Sequence, residues 1–257
     1  MSGALVALAL TCLAAFYLLA AVRSPGWPRR RIAYAVGGLA TLGLAGPVGE
    51  GSLGAVASLG EGSLAADMVG HAMIVAVAVP FLVLARPLAL IQRRLSPPLR
   101  ARVRRAELPL GRSFEPWVLW LTFIGTQWLF HLGPVAEEAR GDGVWHSLEH
   151  AVFFWTAVGF WIAALAPVPG MRRMGAAERA AYLLAAMPAL DLIGAIWIGQ
   201  GMTAAGAAMI AGMLPIGVAF FIVAARAALA EERTARLLDS RNDGRSPRAR
   251  AVGVGRG

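Results

Sequence analysis

The chain has 257 residues, of which 58% are hydrophobic and 15% charged, with a formal net charge of +9. That much apolar surface exceeds what one soluble core can bury, so lipid must be the solvent and the chain reads as an integral membrane protein. The positive charge is all arginine, set in short connections between apolar runs and in the tail, which makes it a topology signal and not a nucleic-acid surface. The lone Cys12 excludes an intrachain disulfide and a Cys-x-x-Cys metal motif.

Seven apolar segments come close to the roughly 20 residues that cross the hydrocarbon core as a helix. They are predicted at about 3–22, 32–49, 67–86, 115–133, 145–166, 178–199 and 204–226. Helices are expected because an unclosed sheet would leave backbone groups unsatisfied in lipid. The first run, from Ala4 to Val22, has no preceding basic stretch and no small-residue cleavage site, so it is expected to be a retained span and not a signal peptide.

Arg23, Arg29, Arg30 and Arg31 follow the first span. Arg93, Arg94, Arg100, Arg102, Arg104, Arg105 and Arg112 follow the third, and Arg172 and Arg173 the fifth. The connection after the second span instead carries Glu50 and Glu61, that after the fourth Glu137, Glu138, Arg140 and Asp142, and that after the sixth almost no charge. The positive-inside rule then gives an outer N-terminus and a cytoplasmic C-terminus. The expected architecture is an all-α, seven-helix membrane domain over residues 1–230. Residues 231–257 are expected to form a cytoplasmic, disordered, arginine-rich tail, its composition turning clearly polar from about Asp239.

This topology brings all four histidines to one depth near the outer face. His71 lies one turn into the third span, His131 near the outer end of the fourth, and His146 and His150 at the start of the fifth. His146 and His150 are four residues apart, so a helix sets both on one face, where two imidazoles can reach one metal ion. Asp67 and His71 repeat that spacing. Each residue also has an ordinary reading: interfacial histidines are common, Asp67 suits a helix cap, and Glu149 suits a solvated first-turn carboxylate. Histidine is absent from every loop, the tail and the arginine-rich ends, and polar groups within spans usually face the bundle interior, so the set reads as a metal or cofactor cluster.

Imidazole suits copper, zinc and iron alike, while thioethers favour reduced copper. Met68, Met73, Met202 and Met209 lie near the same ends, and although most such methionines are packing residues, Met209 is kept as a candidate ligand. Asp191, in the sixth span, is expected to face the interior as partner to an imidazole or to another polar group. Gln127 and Gln200 suit either a supporting role at the site or helix-to-helix hydrogen bonds. Pro80 and Pro188 mark bends within helices.

The motifs from about residue 64 to 215 resemble the multispan CtaG-like assembly factors of caa-type cytochrome c oxidase. The resemblance rests on Asp67-Met68-Val69-Gly70-His71, then Val79-Pro80-Phe81-Leu82 and Arg86-Pro87. It continues through Trp128-Leu129-Phe130-His131-Leu132-Gly133-Pro134, then His146-Ser147-Leu148-Glu149-His150 with Phe153, Gly159 and Trp161, and ends in Gly206-Ala207-Ala208-Met209. Two departures stand out. Asp67 occupies the position where the family usually has the first histidine of a His-Met-x-x-His element, and Gly201-Met202-Thr203-Ala204 replaces an expected Asp-Gln pair.

The resemblance implies a multi-pass bacterial plasma-membrane protein that helps build the oxidase by handling copper, with an oxidase subunit or a copper chaperone as partner. On that reading His71, His131, His146 and His150 hold copper at the outer face, Asp67 or Met209 assists, and Glu149 and Asp191 support the ligands; no bond-making catalysis is expected. The runner-up is a zinc-dependent membrane hydrolase in which Asp67 or Glu149 activates a metal-bound water. A haem protein ligated by His71 and His150 is the third reading.

Overall fold

A computed structural model describes residues 3–52, 63–132 and 143–245. Among the described residues all regular structure is helical. In chain order the helices are α1 (Gly3–Val22), α2 (Arg29–Gly49), α3 (Leu64–Ala72), a π-helical segment (Met73–Ala78), α4 (Val79–Ala85), α5 (Pro87–Arg94) and α6 (Pro97–Arg112). They continue as α7 (Pro116–Leu132), α8 (Gly143–Leu165), α9 (Ala176–Gly199), α10 (Thr203–Gly212) and α11 (Leu214–Arg245).

Five helical stretches are long and apolar enough to cross a membrane: Arg29–Gly49, Leu64–Arg94, Val144–Leu165, Ala176–Gly199 and Thr203–Asp239. Seven were expected from the sequence. The first of the remaining two is the shorter apolar stretch Ala7–Val22. The second is α7, which has 17 residues and draws part of its apolar surface from Trp117, Trp120 and Trp128. Tryptophan suits the boundary between lipid and water more than the hydrocarbon centre.

Other departures have local causes. The expected third span is not one continuous α-helix. The Pro80 ring has no N–H and would crowd the carbonyl four residues back, and the turn before it widens into the π segment, where the Val79 N–H reaches the Ile74 carbonyl. That shift releases the Val75 carbonyl from its α-helical partner. The Trp161 indole donates to it from α8 at 2.7 Å. The expected last span divides between α10 and α11 at Met213.

The arginine-rich stretch after the third span is not an open loop but two short helices, α5 and α6, joined by a hydrogen bond from the Gln92 amide to the Glu107 carboxylate. α11 continues to Arg245, past residue 231 where disorder was expected. Its extension is rich in Ala, Leu, Glu and Arg, strong helix formers, and Glu232 pairs with Arg236 one turn on. Residues 246–257 of the expected tail, and Glu61, Glu137, Glu138, Arg140 and Asp142 of the acidic connections, lie outside the described residues.

The main core runs through α3, the π segment, α7, α8, α9 and α10, with Phe123, Phe153, Phe160, Trp161, Tyr182 and Trp197 at its centre. Bare backbone brings α9 against α10, since a Cβ on Gly194 would lie 2.6 Å from the Gly206 carbonyl oxygen. A smaller cluster ties α1 to α2 and α5. Here the buried Tyr17 hydroxyl donates to the Ala85 carbonyl at 2.8 Å and accepts from the Trp27 indole at 3.2 Å.

The two ends of the bundle differ in chemistry. At one end, exposed Arg172 bridges Glu115 and Glu178 at 2.6 and 2.7 Å, and these carboxylates, Glu178 first, hold the guanidinium above its ordinary pKa. At the other end lie the short helix α3, the end of α7 and the start of α8, which carry the four histidines.

Candidate metal centre

Helix capping sets the first wall of the site. Ser63 Oγ accepts from the Ala66 N–H at 3.1 Å, so the N-cap of α3 is Ser63 and not Asp67. α3 then carries Asp67 and His71 on one face, one turn apart, with Asp67 Oδ1 3.6 Å from His71 Nε2. Gly70 lets α2 approach this face directly, because a Cβ there would lie 2.8 Å from the Ala45 carbonyl oxygen.

α8 supplies the opposite wall. Its first turns present His146, Glu149 and His150 at i, i+3 and i+4, which share one helical face. The His146 and His150 ring centroids are 4.4 Å apart. His146 Nε2 is 3.8 Å from Asp67 Oδ1, and its Nδ1 is 3.5 Å from Glu149 Oε2. Across the gap, the His71 ring lies 4.7 Å from that of His150 and 6.0 Å from that of His146.

α7 closes the inner side. His131 Nδ1 is 2.7 Å from the Gln127 carbonyl oxygen. A carbonyl can only accept, so Nδ1 carries the proton and donates, and the ring lone pair sits on Nε2. The His131 ring stacks on Phe153 at 5.2 Å, touches Trp197 at 5.4 Å and approaches His71 at 5.8 Å. Phe153 also meets the His71 ring at 5.1 Å, so one aromatic side chain fixes two imidazoles.

Two overlapping donor groups result. Asp67, His71, His146 and His150 can each offer one ligand atom with all of these within 4.8 Å of one another, and His71, His131 and Glu149 form a second such set. Burial is graded across them. His71, His131 and Glu149 are buried, Asp67 and His150 are intermediate, and the His146 side chain is 40% exposed. Beside them a narrow cleft lined by Asp67, Met68, Phe130, His131, Glu149 and Trp197 has room for about one water molecule.

The donor set fits a metal ion. Both ring nitrogens of His71 and Nε2 of His150 are buried without a hydrogen-bond partner among the described residues. Burying polar nitrogen without a partner costs about 1–3 kcal/mol per group, which ligation would recover for one nitrogen of each ring. Neutral imidazole with one carboxylate oxygen suits a borderline divalent ion or reduced copper held mainly by nitrogen. The edge-on contact of His71 with His150 leaves no space between their rings for a haem macrocycle.

The remaining candidates fall differently. Met209 is buried on α10 within the same apolar core as Met68 and Trp197. Asp191 stands in neither donor group, and its Oδ1 is buried without a hydrogen-bond partner among the described residues. Gln127 is buried, while Gln200 is exposed at the C-cap of α9. Glu149, for which a solvated position was the ordinary reading, is only 4% exposed. Its place between His146 and His150 on one helical face is the signal that points inward. The aromatic walls Phe153 and Trp197 carry no such signal, because ring-to-imidazole contacts arise from helix packing.

The family model described as Cytochrome c oxidase caa3 assembly factor (Caa3_CtaG) matches residues 15–230. No curated protein and no solved structure gives a significant match.

Proposed function

Because the chain belongs to the cytochrome c oxidase caa3 assembly factor family, we propose that it serves oxidase assembly by carrying copper, taken up at the imidazole cluster and released to an oxidase subunit. The observation that supports this most is His71: an imidazole buried with neither nitrogen hydrogen-bonded among the described residues, yet ringed by three others. Such a group is costly in a static core and useful in a ligand.

The gradient of exposure suits a carrier. His146 and Asp67 reach the surface and are the donors an arriving ion meets first, while His71 and His150 lie deeper. Handing the ion from partly exposed to buried nitrogen, and back, exchanges one donor at a time and needs no covalent chemistry. Copper is the cargo in this reading. Under the positive-inside rule the histidine end faces outward, so exchange with an oxidase subunit or a copper chaperone takes place at the outer face of the bacterial plasma membrane.

One observation favours a second reading. Glu149 is a buried carboxylate 3.5 Å from His146, the placement a general base beside a metal-bound water would need. A zinc hydrolase is therefore the alternative. Metal analysis of the purified protein beside a His146→Ala/His150→Ala variant separates the two. Stoichiometric copper lost in the variant supports the carrier, and stoichiometric zinc with amide hydrolysis that depends on Glu149 supports the hydrolase.

A further inference from the structure

We propose that the arginine-rich end of the bundle holds a binding site for the phosphate head group of an anionic phospholipid, formed where α1, α5 and α6 meet. Arg23 follows α1, Arg93 and Arg94 end α5, and Arg100 lies in the first turn of α6. Together with Ser24 and Pro25 they line a hollow of about 250 Å³.

Neutral groups hold three of these guanidiniums in place. Arg94 Nη1 donates to the Arg23 carbonyl at 2.8 Å. Arg100 donates to the carbonyls of Gln92 at 2.9 Å and of Arg93 and Leu95 at 3.1 Å, and so caps the C-terminal end of α5. The Arg93 guanidinium lies over the Trp27 ring, 5.1 Å from its centroid. Among the described residues no carboxylate forms an ion pair with any of the four. Arg93, Arg94 and Arg100 are thus positioned without being neutralised, and with Arg23 they set four like charges around one hollow, which repel one another. A phosphate oxygen supplies the missing charge, and guanidinium is the cation whose forked donors match it.

Lipid, and not a soluble phosphate, is the source that the surroundings favour. The hollow sits at the end of the Leu64–Arg94 stretch, which is long and apolar enough to cross a membrane and whose end would lie among head groups. Leu88 and Ile91 of α5 and Leu99 of α6, on the same two helices as these arginines, are exposed apolar side chains that acyl chains cover and water does not. Short helices that carry both arginines and exposed apolar side chains suit the membrane interface, and basic pockets there select anionic head groups.

The test is native mass spectrometry of the delipidated full-length protein in detergent, titrated separately with phosphatidylglycerol and phosphatidylcholine. Phosphatidylglycerol is expected to bind more tightly, and Arg94→Gln/Arg100→Gln to abolish the preference, at about fivefold in affinity per guanidinium removed. The Arg23 side chain makes no hydrogen bond among the described residues, so Arg23→Gln removes charge alone and decides the matter if the double variant fails to fold. Equal affinity for the two lipids, or a preference unchanged in Arg23→Gln, overturns the proposal. Displacement of phosphatidylglycerol by an equal concentration of inorganic phosphate would assign the hollow to a soluble anion and overturn the lipid assignment; resistance to that displacement supports it.

Discussion

The rings of His71 and His150 meet edge-on with their centroids 4.7 Å apart, joining the last turn of α3 to the early turns of α8. In a protein without metal this contact sets two neutral imidazoles against each other in a buried space, with no hydrogen bond to either nitrogen of His71 among the described residues. Removing the polar ring should therefore separate stability from ligation. His71→Leu is expected to leave the melting of metal-free protein unchanged, or to raise its stability by about 1 kcal/mol, because an unsatisfied buried polar group is lost. Bound copper should disappear. Thermal unfolding in detergent, with and without copper, checks both halves, and a clear loss of metal-free stability would mean that His71 holds the fold and not an ion.

Asp67 lies between two imidazoles, 3.6 Å from His71 and 3.8 Å from His146. Oxygen is a poorer match than nitrogen to reduced copper, so Asp67→His is expected to tighten binding of Cu(I). Asp67→Ala is expected to weaken it by about 10- to 100-fold, the range seen when a group that orients metal ligands is removed. Competition against a chromophoric Cu(I) chelator measures both. No change in either variant would place Asp67 outside the metal's surroundings.

The pattern of these residues was readable because it obeys local rules. Four-residue spacing put His146 with His150 and Asp67 with His71, and the distribution of arginine put every histidine at one end. What escaped was set by packing. The π segment results from Pro80 acting together with a Trp161 donor on another helix. α6 resembles a charged loop when read for hydropathy alone, because arginines and exposed side chains make up most of it. The end of α11 has the same character: low hydropathy signals exposure, and exposure alone does not mean disorder.

The π segment gives its own prediction. The Trp161 indole reaches the Val75 carbonyl at 2.7 Å, and both residues are buried. Trp161→Phe keeps an aromatic ring but leaves that carbonyl without its donor. A loss of about 1–3 kcal/mol is expected from the unsatisfied group. Because the segment begins two residues after His71, metal affinity should fall along with stability. If melting is unaffected, the carbonyl finds another donor and the π turn does not depend on Trp161.

Gly70 tests whether backbone contact positions the site. A Cβ there would meet the Ala45 carbonyl oxygen at 2.8 Å and Gly49 Cα at 2.9 Å, both backbone atoms of α2 that cannot rotate aside as a side chain would. Gly70→Ala must therefore push α3 away from α2, at about 1–3 kcal/mol for overpacking. The displacement carries the adjacent His71 with it, so copper affinity is expected to drop even though no ligand has been changed. Gly125→Ala is the matched control: it also lies within a helix, but open space surrounds its would-be Cβ. There the gain in helix propensity should leave stability unchanged or raise it by up to about 1 kcal/mol. Thermal melting and copper titration of the two variants side by side decide the point, and equal behaviour would mean that the α2–α3 contact plays no part in holding the imidazoles.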